Sequence, residues 1–104
     1  MSRGPDAATL LERALIAHAL AAGCAVEVTA IDSTRWASAT FVGARHLVAL
    51  TVTSAPALYE WLAGLPEADL ALRGHLVADL VVEHILREDQ MVTLSLEILT
   101  VEER

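Results

Sequence analysis

The sequence contains no lysine, no asparagine and only one cysteine, and these shortages exclude several kinds of site. A single cysteine cannot form an internal disulfide or a paired-cysteine metal site, which fits a reducing, cytoplasmic location. The seven basic residues are all arginines, and 14 acidic residues give a net charge of −7. Without a basic stripe to displace counterions from phosphates, nucleic-acid binding is not expected. The acidity also repels anionic membrane surfaces, so we expect a protein that binds neither nucleic acid nor membrane.

Long uninterrupted apolar runs are also missing. The most apolar stretch, residues 14–31, contains His18, Gly23 and Glu27 and changes its periodicity midway. This pattern indicates a helix followed by a strand, not a membrane span or a signal peptide. The 104 residues are enough for a single domain with no room for a second. We expect an ordered core over residues 6–101 and short disordered ends.

Apolar side chains are present in excess. Hydrophobic residues make up 55% of the chain, compared with roughly 45–50% in soluble domains. Alanine accounts for part of the surplus, and alanine richness without lysine or asparagine indicates a GC-rich bacterial genome. The rest is leucine and valine, which are usually buried. In a domain of this size, such a surplus favours attachment to a second copy or to a partner.

Two helices are predicted from the apolar period and from capping residues. Asp6 or Thr9 can cap a first helix, and Gly23 is placed to end it in the left-handed conformation. Ser54 can cap a second helix, whose first turn accommodates Pro56 without the loss of a helical hydrogen bond.

Five strands are predicted where the apolar period changes to two. They cover residues 25–30, 36–42, 46–53, 70–86 and 91–101. Turn chemistry separates the first three strands at Asp32-Ser33-Thr34 and at Gly43-Ala44-Arg45, and a bulge or bend is expected at Gly74. The order α-β-β-β-α-β-β predicts an α+β fold, with a five-stranded antiparallel sheet and both helices packed on one face.

The final hairpin is apolar on both faces. Its predicted inner residues on the first strand are Leu70, Leu72, Leu76, Leu80, Val82 and Leu86. The last strand continues the same face with Val92, Leu94, Leu96 and Ile98. Its predicted outer apolar residues are Val77, Val81, Ile85, Met91, Leu99 and Val101. The first helix adds a smaller patch at Ile16 and Leu20, opposite its core stripe. Patches of this kind commonly mark interfaces. We expect self-association through the outer face of the hairpin, giving a homodimer that presents the sheet face or the Ile16 and Leu20 patch to another protein; the sequence leaves open whether the two patches form one interface or two.

Candidates for a chemical site are few. Arg73, His75, Asp79 and His84 could bind a ligand or transfer protons, because imidazole and carboxylate groups serve both purposes. His75 and His84 are nine residues apart, which places them on opposite faces of a regular strand, and locally satisfied structural histidines are the alternative. No nucleophile, phosphate-loop, zinc-helix or paired-cysteine motif occurs. The sequence therefore assigns no catalytic residue, no metal and no cofactor.

Two resemblances bear on function. Over residues 6–101 the order of elements resembles that of the small acidic secretion chaperones of bacterial type III systems, which implies a non-enzymatic, dimeric protein-binding module. Residues 71–80, Ala-Leu-Arg-Gly-His-Leu-Val-Ala-Asp-Leu, resemble the closing segment of phage tail-completion proteins, which implies a ring-forming structural subunit. A third alternative is a small-molecule-binding protein or small enzyme that uses the His, Asp and Arg side chains of residues 73–84. We predict the first of these functions.

Overall fold

The computed structural model describes residues 6–103 and consists of two helices and a four-stranded antiparallel sheet. The elements are α1 (Ala7–Ala21), β1 (Val26–Ala37), β2 (Val42–Thr53), α2 (Pro56–Gly64), β3 (His75–Glu88) and β4 (Met91–Glu102). A single 3₁₀ turn, Leu65–Glu67, extends α2. The α+β class and the antiparallel sheet are confirmed, but the prediction of five strands is wrong, because the sheet has four in the order β1-β2-β4-β3.

The first predicted strand continues through the predicted turn into the start of the second, so β1 runs to Ala37, while residues 38–41 form the loop before β2. Asp32, Ser33 and Thr34, predicted as a turn, lie within β1 and pair with β2. Because β1 is an edge strand, their polar side chains reach water. The chain reverses later, where the Ser38 N–H donates to the Phe41 carbonyl oxygen at 2.8 Å and the Ser38 hydroxyl accepts the Phe41 N–H at 3.0 Å.

Gly43, predicted to reverse the chain, lies inside β2. It pairs with Trp36 on one side and with Val101 on the other. A Cβ atom here would collide with the carbonyl oxygen of Thr100 and would lie 2.8 Å from Cζ2 of Trp36. The close approach of neighbouring strands therefore explains this glycine, as is common for glycine within a sheet.

The helix boundaries follow most of the predicted signals. The Asp6 carboxylate accepts the Thr9 N–H at 2.9 Å and caps α1. Gly23 follows that helix with a φ of +90°, as expected. The predicted cap of α2 is wrong, because the N-cap is Ala55, without a side-chain hydrogen bond, while the Ser54 N–H donates to the Gln90 carbonyl oxygen at 2.6 Å. That bond ties the start of α2 to the β3–β4 turn.

One hydrophobic core joins the two helices to the inner face of the sheet. Its completely buried apolar members include Leu11 and Leu15 of α1, Leu58 of α2, Leu65, Leu50 of β2, and Val92, Leu94, Leu96 and Ile98 of β4. Each buried side chain of this size contributes about 1.5–3 kcal/mol through its removal from water. Neither helix in residues 6–103 is long and apolar enough to cross a membrane.

The outer strand β3 contains two irregularities that the sequence pattern does not show. Its register against β4 shifts between Val77 and Asp79 and again between Val82 and His84. Each extra residue reverses the face on which the following side chains lie. The helix-side positions are Val77, Leu80, Val82 and Ile85, and the opposite positions are Leu76, Asp79, Val81, His84 and Leu86.

The chain ends are partly ordered. Gly74, expected to bend a strand, has a φ of +82° in the turn that precedes β3. Its carbonyl oxygen accepts the Glu103 N–H at 2.9 Å, and Glu102 belongs to β4. The last strand therefore extends one residue beyond the expected end of the core at residue 101, whereas Met1–Pro5 and Arg104 lie outside the described residues.

Candidate functional site

The face of the sheet opposite the helices is uncovered, and we call it the open face. On β4 it comprises Met91, Thr93, Ser95, Glu97, Leu99 and Val101, which alternate with the core residues; their register partners on β2 and β3 complete it with the facing residues of β1. Nine large hydrophobic side chains in residues 6–103 are exposed, and five belong to this face: Leu47, Leu76, Val81, Leu86 and Met91, each 43–57% accessible. Apolar exposure is therefore concentrated on one side of the molecule.

The predicted interface residues divide between the two faces. Val81, Met91, Leu99 and Val101 lie on the open face, as expected. The two register shifts place Val77 and Ile85 on the helix side instead, opposite Thr100 and Leu94, and bring Leu76 and Leu86 to the open face. A strictly alternating pattern could not reveal this exchange.

The patch predicted on α1 is smaller than expected. Ile16 packs against the core and is half-buried. Of the two residues, Leu20 alone is strongly exposed, at 64% accessible. A single exposed leucine is ordinary on a protein surface. The open face is therefore the larger apolar surface.

The predicted ligand-binding residues are not brought together. Arg73 is exposed in the turn before β3. His75 lies on the helix side opposite Glu102, whereas Asp79 and His84 lie on the open face opposite Leu99 and Ser95. The Asp79 carboxylate accepts the backbone N–H of Leu80 at 3.0 Å. His84 lines a cavity with Asp32, Glu83 and Ser95, and His75 lines a second cavity with other polar side chains.

That cavity adjoins a polar cluster that the sequence analysis missed. His46 of β2 is 1% accessible; its Nδ1 lies 2.7 Å from the Ser33 hydroxyl and its Nε2 lies 2.9 Å from the Thr100 hydroxyl. Ser33 is the cross-strand partner of His46. The cluster therefore links β1, β2 and β4 beneath the start of α1.

The hydrogen-bond chain determines the state of the imidazole. The Thr100 hydroxyl donates to the Ala44 carbonyl oxygen at 3.4 Å, so its oxygen accepts the Nε2–H of His46. Nδ1 then accepts the hydroxyl proton of Ser33. Burial lowers the pKa of His46, the electrostatic interaction with His75 lowers it further, and Asp6 partly opposes both effects. The ring is consequently neutral at pH 7.

This arrangement contains a serine–histidine pair but not a triad. In a serine hydrolase a carboxylate accepts the second imidazole N–H and stabilises the imidazolium. Here the hydroxyl of Thr100 occupies that position, and it offers no negative charge. The adjoining cavity, about 280 Å³, is lined by Asp6, Arg35 and Glu102 together with the cluster. The geometry thus supports a structural role for the buried histidine.

One signal in the sequence points to His46. It extends the alternating series of core residues Val48, Leu50 and Val52, so it occupies a core position, and a histidine there needs two hydrogen-bond partners. Ser33 was missed as a partner because it was predicted to lie in a turn.

Metal binding finds no support in the arrangement of side chains. Within residues 6–103, no three His, Cys, Asp or Glu side chains are grouped so that they could hold a metal ion.

Comparisons with protein-family models, with curated proteins and with solved structures each gave no match for this chain.

Proposed function

We propose that this protein is a non-enzymatic interaction module that forms a homodimer by packing its open face against that of a second copy. The observation that carries the proposal is the concentration of five exposed large hydrophobic side chains on one uncovered sheet face. Exposed apolar patches of this kind commonly mark interaction sites. A second sheet at about 10 Å would cover them as the two layers of a sandwich cover each other.

The size of the face matches what a stable dimer needs. Strands of 12 residues rise about 3.3 Å per residue, and four strands lie about 4.8 Å apart. The face is therefore about 40 Å by 19 Å, or about 760 Å². A standard interface buries about 800 Å² per partner.

The distribution of charge also suits self-association. On the central strands β2 and β4, the open face carries one charged pair, Arg45 and Glu97, whose Nε and Oε2 atoms lie 2.9 Å apart. Further carboxylates of this face, Glu27, Asp32, Asp79 and Glu88, lie on the edge strands β1 and β3. A polar rim is part of the usual anatomy of an interface.

The oligomeric state tests the proposal. Size-exclusion chromatography with light scattering should give wild type twice the chain mass of 11.1 kDa. Val81→Glu places a charge among the exposed apolar side chains of the open face and should give a monomer that retains the wild-type circular dichroism spectrum. Leu20→Glu is the matched control: Leu20 is at least as exposed but lies on α1, so this variant should remain a dimer.

Each other outcome has a definite meaning. A wild-type monomer, or a Val81→Glu dimer, would refute the open face as a self-interface. Wild-type particles of several subunits would favour the ring-forming structural subunit instead. Equal loss of the dimer in both variants would mean that a general increase in negative charge, not the open face, controls association.

A further inference from the structure

The indole of Trp36 lacks a hydrogen-bond partner although its Nε1 atom is buried. The only other tryptophan, Trp61, donates its Nε1–H to Nδ1 of His18 at 2.9 Å. A buried donor without a partner costs about 1–3 kcal/mol, and most buried polar atoms in proteins are paired. The ring position is constrained, because Trp36 packs against Gly43, where there is no room for a Cβ. The unpaired donor marks this end of β1 as a place where the chain does not satisfy its own polar groups.

A cavity of about 530 Å³ adjoins this indole on the β1–β2 side of the open face. Its lining comprises Thr34, Arg35, Trp36, Arg45, Leu47 and Leu99. The volume is within the range of small-molecule sites. No carboxylate belongs to this lining, so donors and apolar side chains dominate it.

The two guanidinium groups retain free donors. Arg45 uses its Nε against Glu97, which leaves its terminal nitrogens for another acceptor. Arg35 lies 3.9 Å from Glu102, too far for a hydrogen bond. In a chain of net charge −7, two arginines beside an unpaired indole N–H form a local site for an anion.

We propose that this pocket binds a small organic acid. Its carboxylate accepts hydrogen bonds from the guanidinium of Arg45, its apolar body contacts Leu47 and Leu99, and the ring of Trp36 forms part of the pocket wall. Planar guanidinium groups suit carboxylates because they donate two parallel hydrogen bonds. The pocket is formed by one chain alone, but it lies on the open face, so a dimer packed through that face would cover it and binding is tested on a monomer.

The two indole N–H resonances provide the test. Uniformly ¹⁵N-labelled Val81→Glu protein, the expected monomer, would be titrated with benzoate, and Trp36→Phe in the same background would assign the Trp36 signal. We expect a saturable shift of the Trp36 indole resonance, while the Trp61 resonance, already hydrogen-bonded, stays in place. Benzamide has the same shape without the charge and should bind at least about tenfold more weakly, as expected for loss of a charged hydrogen bond.

Two variants and one dilution series complete the experiment. Arg45→Gln should weaken benzoate at least about tenfold, whereas Arg73→Gln, in the turn before β3, should not; an unchanged Trp61 resonance would show that both are folded. The titration is repeated on wild type, in which a dimer would cover the pocket and weaken benzoate binding; equal affinities would speak against the dimer and not against the pocket. In Val81→Glu, absence of a saturable shift, or equal binding of benzamide, would overturn the proposal. A Trp36 resonance of Val81→Glu that moves with protein concentration and not with benzoate would also overturn it, since a second copy would then occupy the pocket.

Discussion

Gly43→Ala is a direct test of how the central strands pack. The added methyl group would collide with the backbone carbonyl of Thr100 on β4 and would press on the ring of Trp36. A backbone carbonyl cannot rotate away as a flexible side chain can, so β2 and β4 must separate locally. Overpacking of this kind costs about 1–3 kcal/mol, and a weakened ladder hydrogen bond adds about 0.5–1.5 kcal/mol. We expect a loss of about 2–4 kcal/mol in the free energy of unfolding.

Gly64→Ala is the matched control for the same chemical change. Gly64 ends α2 with helical dihedral angles, φ −93° and ψ −9°, and no atom lies within 4 Å of its ideal Cβ. Alanine at a helical position is more stable than glycine by about 0.5–1 kcal/mol. This variant should therefore unfold at the wild-type urea concentration or slightly above it.

Urea denaturation followed by circular dichroism measures both effects. All proteins should be compared at one concentration, because association changes apparent stability. For a domain of this size, the loss in Gly43→Ala corresponds to a fall of at least about 8 °C in Tm. If Gly43→Ala stays within about 0.5 kcal/mol of wild type, the close approach of Gly43 to Thr100 is wrong, since a surface change alone has an effect of that size.

Three further measurements test the cluster, the helix cap and the cysteine. His46 has a lowered pKa in the folded protein, so its contribution to stability is complete above its unfolded pKa of about 6.5 and is lost as the pH falls. Urea titrations at several pH values should show this loss, and His46→Leu should reduce it. Asp6→Ala removes the cap of α1 and should cost about 1 kcal/mol in the same assay, with no cost from Thr9→Ser as a control. Burial raises the pKa of the Cys24 thiol, so a disulfide reagent should modify it slowly in native protein and rapidly in urea; rapid native modification would contradict its burial.

The first helix and the last strand could be predicted because their signals are local. Asp6 and Gly23 mark the two ends of α1, and the alternation of β4 from Val92 to Ile98 matches its buried face. These features depend on near neighbours in the chain. They need no knowledge of which strand lies beside which.

The strand count and the pocket could not be predicted for the same physical reason. Asp32-Ser33-Thr34 has the composition of a turn, but it lies on an edge strand, and the bond from Ser33 to His46 joins residues 13 apart. The orphan indole of Trp36 likewise depends on its place beside β2. Local composition indicates which conformations a segment can adopt, whereas its position in the fold depends on pairing with residues distant in the sequence.

The open face can be assigned only from the register. A period of two identifies the inner residues of β4, but on β3 the two shifts exchange Ile85 with Leu86. Bulges have no strong sequence signal of their own. The sequence alone predicts that the hairpin has an apolar outer face. Which residues form that face can be determined only from the structure.

The irregularities of the outer strands also limit how copies of the protein can associate. Both edge strands, β1 and β3, have shifted registers, while the central pair runs continuously from Gly43 opposite Val101 to Thr53 opposite Met91. A bulged edge is a poor template for another strand. Edge-to-edge addition of further copies into a continuous sheet is therefore disfavoured. Face-to-face packing of two sheets uses the same surface on both copies, so the assembly is complete after one contact. A chain with this much apolar surface can thus remain a particle of defined size and avoid forming a fibre.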